Sequence, residues 1–154
     1  MSDPYIVGAV VVGAVNVLAA AVGLGQWLLG RPGRAFWFAA RVGQVVAALY
    51  AVFAGIYAAA ADPPEDGLAW VYILTPVAVS YFAEQLRIIA AQTVLERHGH
   101  ATAEDLRAAV ESGDEEAQRL ATGIAHEALL REVGIVALAA AVIGFLAWRA
   151  VITG

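Results

Sequence analysis

The chain has 154 residues, 61% of them hydrophobic, and a net charge of -5, with a mean hydropathy of +0.72. Soluble domains are only about half apolar, so this composition excludes an ordinary water-soluble fold. The absence of cysteine removes disulfide frameworks, thiolate metal sites and the quinone-linked thiol chemistry of membrane disulfide-forming enzymes.

Four stretches reach the roughly 20 mostly apolar residues that a membrane-spanning helix requires, over about 5–29, 35–61, 68–89 and 133–152. The first opens with Asp3 and Pro4 in place of a basic n-region, and its apolar run exceeds that of a cleavable signal. It is therefore expected to remain as the first span. The turn Gly30-Arg-Pro-Gly-Arg34 is short enough to force an antiparallel hairpin into the second span.

In the second span Gly43, Ala47, Ala51, Gly55 and Ala59 recur every fourth residue. Small residues in such a row let another backbone approach closely, so they predict a packing ridge, within one chain or between copies. Asp62 to Gly67 then returns the chain to the third span. That helix is expected to kink at Thr75-Pro76 and to run beyond the apolar stretch until Gly99 supplies a C-cap.

The segment 96–132 is the one that reads as water-soluble. It holds nine acidic residues against four Arg, a balance that argues against nucleic acid and anionic headgroups as partners of this loop. Thr102-Ala-Glu-Asp105 and Ser112-Gly-Asp-Glu115 both fit a capping box and predict two short helices, the second feeding directly into the last span. From Gly134 to Leu146 that span has no polar side chain.

Orientation follows the placement of Arg. Arg31, Arg34, Arg41, Arg87, Arg97, Arg107, Arg119 and Arg131 fall on one side and Arg149 alone on the other. Residues 1–154 are thus read as one all-α membrane domain, an integral four-helix bundle. Both termini are expected outside the cytoplasm, with a short helical cytoplasmic insertion between spans three and four. The inner cell membrane is its expected location and the lipid bilayer its first partner.

Polar residues inside the spans are the candidate site. Asn16 and Gln26 lie in the first, Arg41 and Gln44 in the second, and Ser80, Tyr81, Glu84, Gln85 and Arg87 in the third. At 1.5 Å per residue, Arg41 sits about 9 Å and Glu84 about 6 Å inside the cytoplasmic boundary. A pocket of Gln26, Arg41, Gln44, Glu84 and Gln85 is expected at that level, with Arg41 pairing Glu84. The competing reading has Arg41 snorkel, Glu84 pair with Arg87, and the amides join helices.

His98, His100 and His126 are weak metal candidates in the solvated loop, and no metal or other cofactor is expected. No His lies in a span to hold haem, and no phosphate loop or catalytic triad pattern occurs. Trp27, Trp37, Trp70, Trp148 and Tyr5 read as interfacial anchors. In span count the chain resembles small four-helix multidrug transporters, but where their carboxylate lies in the first span this chain offers only Asn16. It resembles the membrane eicosanoid and glutathione enzymes in length and span count only.

The leading expectation is a transport or channel protein, a homo-oligomer using the Arg41/Glu84 level for selectivity or coupling. An accessory or regulatory subunit docking a membrane or cytosolic protein through the acidic loop is the alternative. A lipid-binding protein or membrane enzyme with a cytoplasm-facing pocket stands third, since no catalytic residues can be named.

Overall fold

The computed structural model describes residues 3–61, 63, 64, 67–113 and 115–153. Its elements are all helical: α1 (Asp3–Leu28), α2 (Arg34–Ala60), α3 (Gly67–Arg97), α4 (Ala103–Ser112) and α5 (Glu115–Thr153). Four of them, all but α4, are long and apolar enough to cross a membrane. Half of the expected Asp62–Gly67 turn (62, 65 and 66), and the residue preceding α5, lie outside the described residues.

Helix ends follow local chemistry. Gly30 and Gly99 take positive φ, +62° and +81°, which glycine alone adopts without strain. After each, the chain closes two bonds back onto the last turn. Gly30 N–H donates to the Trp27 carbonyl and Arg31 N–H to that of Gln26; Gly99 N–H donates to Glu96 and His100 N–H to Leu95. This pairing satisfies carbonyls left open at a helix end, so α3 stops where Gly99 was expected to stop it.

At α4 the Thr102 hydroxyl accepts from Asp105 N–H at 3.1 Å, and the Asp105 carboxylate accepts from Thr102 N–H at 2.9 Å, completing the expected capping box. The second expected box falls on the Ser112 side chain and residue 114, which lie outside the described residues. Ser112 belongs to the last turn of α4, and α5 starts at Glu115. From there α5 runs unbroken through the last apolar stretch. Pro76 sits within a continuous α3, where the Ser80 hydroxyl donates to its carbonyl at 2.8 Å.

The helices close a ring in which α1 packs on α2 and α5, and α3 packs on α2 and α5. Buried positions on α1 (Tyr5, Ala9, Val12, Asn16, Ala19, Gly23) and α2 (Phe36, Ala40, Gly43, Ala47, Tyr50, Ala54) alternate in steps of four and three, the spacing of nearly antiparallel helices. Of the expected ridge on α2, Gly43 and Ala47 are buried within the chain and Ala51 packs against the core. A row of strict fours precesses about 40° per step on a 3.6-residue helix. The row therefore turns away from the interface beyond Ala51, and a Cβ on Gly55 would touch nothing within 4 Å.

Small side chains fill the interior and large ones face out. Ala9, Ala19, Ala40, Ala47, Ala54, Ala137 and Ala147 are buried, whereas Leu18, Leu49, Ile56, Phe82, Leu138 and Phe145 are exposed. Ala and Gly on facing helices allow close approach: a Cβ on Gly144 would lie 2.7 Å from Val17 Cγ2 and 3.7 Å from the Gly13 carbonyl oxygen. One end of the bundle is filled by Tyr5, Tyr50, Ala54, Ile73 and Ile143, and the Tyr50 hydroxyl donates to the Tyr5 carbonyl at 2.9 Å. Beyond the other end, α4 folds onto the extensions of α3 and α5 around Val94, Leu106, Ala121, Ile124 and Ala128, forming a small head.

Candidate functional site

Between the apolar bundle and the head, three helices contribute one charged cluster. On α2, Trp37, Arg41 and Gln44 stand four and three residues apart, one face of the helix. On α3, Glu84 and Arg87 are three apart, and α5 adds Glu132, the last charged residue before its apolar stretch.

Glu84 is the hub. Arg41 reaches across from α2 with a fork of two bonds, Nη1 to Oε1 at 3.0 Å and Nη2 to Oε2 at 3.2 Å, the bidentate geometry suited to a carboxylate. Gln44 accepts from Arg41 Nη1 at 2.7 Å and donates to Glu84 Oε1 at 2.8 Å, bracing the pair. Arg87 donates from Nε to Glu84 Oε2 at 2.7 Å and from Nη1 to Glu132 Oε2 at 2.9 Å. Its guanidinium carbon lies 5.2 Å from the centre of the Trp37 ring, a cation–π distance.

Two Arg and two Glu make the cluster neutral as a unit, and every bond to Glu84 comes from an N–H, so both oxygens act as acceptors. The side chains of Glu84, Arg87 and Glu132 are 22%, 23% and 18% exposed, against 53% for Arg41. Arg41 is therefore the open edge and Arg87 the inner link. Chemically the arrangement ties α2, α3 and α5 together and holds charges at the boundary of an apolar bundle, where lone charges are costly.

Of the residues expected at this level, Arg41, Gln44, Glu84 and Arg87 come together. Both competing pairings are realised at once, since Glu84 binds Arg41 and Arg87 simultaneously. Gln26 is not part of the cluster; its Oε1 accepts from Gly33 N–H at 2.8 Å and fixes the α1–α2 turn. Gln85 is exposed and takes no part, being rotated about 100° from Glu84 around α3. Asn16 is 2% exposed and deep in the bundle. Its Nδ2 donates to the Val12 carbonyl at 2.9 Å, and a Cβ on Gly43 would come 2.8 Å from its Oδ1, so Asn16 marks the α1–α2 crossing.

Glu132 and Trp37 are cluster members that the sequence reading assigned elsewhere, to the solvated loop and to an interfacial anchor. The signal for Glu132 was present in the predicted helix running from the loop straight into the last span. Loop histidines do not assemble a ligand set. His98 Nε2 pairs with Glu127 Oε2 at 3.3 Å, and the same carboxylate takes Arg97 at 3.4 Å and Arg131 at 3.1 Å. His126 is exposed, and no group of three metal-ligating side chains occurs among the described residues.

Comparison with the models of known families, with curated proteins and with solved structures finds no match to this chain.

Proposed function

We propose that this chain is a multi-pass membrane protein with both termini outside the cytoplasm, and that it serves as an accessory or regulatory subunit docking a partner through its acidic head. The membrane reading is supported by the outward placement of Leu18, Leu49, Phe82 and Phe145 around an alanine core, a surface that soluble monomers rarely present. Its orientation is supported by the Arg-rich turn at 31–34, the charged cluster and the head, which share one end.

The observation that carries the docking role is the construction of the head. It has its own apolar core on the extended ends of two spans, while Glu104, Glu111, Glu115 and Glu116 are exposed. A partner with a basic face is the complement of that surface. Purification of the tagged chain from its native membranes in mild detergent tests this. A stoichiometric second protein, lost when Glu104, Glu111 and Glu115 become Gln while helicity and melting are unchanged, is the supporting result. A closed homo-oligomer or a bare chain rejects it.

A homo-oligomeric transport protein is the second reading, favoured by the half-exposed Arg41 on the outer edge of the cluster. The opposite half of the bundle is filled by apolar side chains, so a polar path would run between copies. Flux in liposomes that survives Glu84→Gln rejects that assignment.

A further inference from the structure

Where the head joins the bundle, α3, the connection into α4 and the middle of α5 line an open, shallow cleft of about 390 Å³, within the size range of small-ligand sites. Ile88, Ala91 and Leu95 give it an apolar wall, Ala101 and Thr102 stand at its edge, and Arg87 and Glu132 are its charged residues. Both keep unspent bonding capacity. Arg87 uses Nε on Glu84 and Nη1 on Glu132, and its Nη2 has no hydrogen-bond partner among the described residues. Glu132 uses Oε2 on Arg87, and its Oε1 likewise accepts from no described residue.

A guanidinium offers five N–H donors and a carboxylate about four acceptor sites, so the paired Arg87 and Glu132 that line the cleft each retain capacity for a further partner. A simple anion there would face Glu132, and a simple cation would face Arg87. A ligand bearing both charges a few bonds apart satisfies both residues. We propose that this cleft binds the zwitterionic headgroup of an aminophospholipid, with its phosphate on Arg87 Nη2, its ammonium on Glu132 Oε1 and its acyl chains turning back towards the apolar bundle. The lipid source rests on the membrane reading above; soluble glycerophosphoethanolamine carries the same charges without a bilayer.

The test is equilibrium titration of the full chain in mild detergent with short-chain phosphatidylethanolamine, short-chain phosphatidylglycerol and glycerophosphoethanolamine. The ethanolamine lipid is expected to saturate and to bind at least about tenfold more tightly than the glycerol lipid, which lacks the ammonium. Glu132→Gln is expected to erase that preference. Ala101→Trp, which places a large side chain at the edge of the cleft and leaves Arg87 and Glu132 themselves unsubstituted, is expected to abolish binding. Glycerophosphoethanolamine binding as tightly as the lipid supports the site with a soluble source, and weaker binding supports the lipid. Equal binding of the two lipids, or ethanolamine-lipid binding unchanged in both variants, overturns the proposal. Flotation of the chain with vesicles reads the membrane assignment separately, so a chain that floats but fails the titration loses the cleft alone.

Discussion

Arg41 and Glu84, 43 positions apart, meet in a two-bond fork that joins α2 to α3. Breaking it by Glu84→Gln strands the Arg41 guanidinium and leaves Arg87 with Glu132 as its one carboxylate. A fully buried pair broken in this way loses about 3–5 kcal/mol. With 22% of the Glu84 side chain and 53% of Arg41 exposed, solvent screens part of the effect and a loss of about 1–2 kcal/mol is expected. Denaturant unfolding in detergent measures it, and Arg41→Gln should cost less because Arg87 still neutralises Glu84.

Two glycines two residues apart on α1 separate close packing from mere composition. A Cβ on Gly23 would overlap the Phe36 ring and lie 2.7 Å from Ala137 Cβ, whereas one on Gly25 meets nothing within 4 Å. Gly23→Ala is expected to destabilise by about 1–3 kcal/mol through overpacking. Gly25→Ala should stabilise by about 0.5–1 kcal/mol through helix propensity. Equal effects in thermal melts would contradict the α1–α2–α5 packing described above.

Thr102→Ala removes the hydroxyl that caps α4. Loss of such a cap costs about 1 kcal/mol, and the cost should stay local. Amide exchange is expected to accelerate over α4 and to leave α1 and α2 unchanged.

The absence of cysteine makes topology directly measurable. Single substitutions Gly113→Cys on the head and Ala61→Cys at the end of α2 are expected to react with a membrane-impermeant maleimide from opposite sides of sealed vesicles. Labelling of both from one side rejects the proposed orientation.

Much of the architecture is legible in the sequence because lipid-like composition is a strong signal. The four apolar runs, the tight turn from Gly30, the glycine stop at Gly99 and the Thr102 box each follow from local chemistry. What escaped is what depends on rotation about a helix axis. Gly43 and Ala47 stay in the interface, but Gly55 leaves it because a period of four outruns 3.6. Gln85 turns away for the same reason, one position after Glu84. Glu132 was hidden by its neighbours, since a charged residue at the edge of an acidic loop reads as solvated until the helix carrying it is known to pass beside Arg87. Gln26 was at the expected level but found a nearer donor in Gly33.

The unbroken course of α5 has a mechanical consequence. Its 39 residues form a rod of roughly 58 Å at 1.5 Å per residue, with one portion in the head, the other in the bundle and Glu132 between them. No break interrupts its described backbone, so the head and the last apolar stretch share one continuous shaft. Whatever pulls on the head levers the whole shaft, and the Arg87–Glu132 pair lies at the fulcrum, where that torque is felt first.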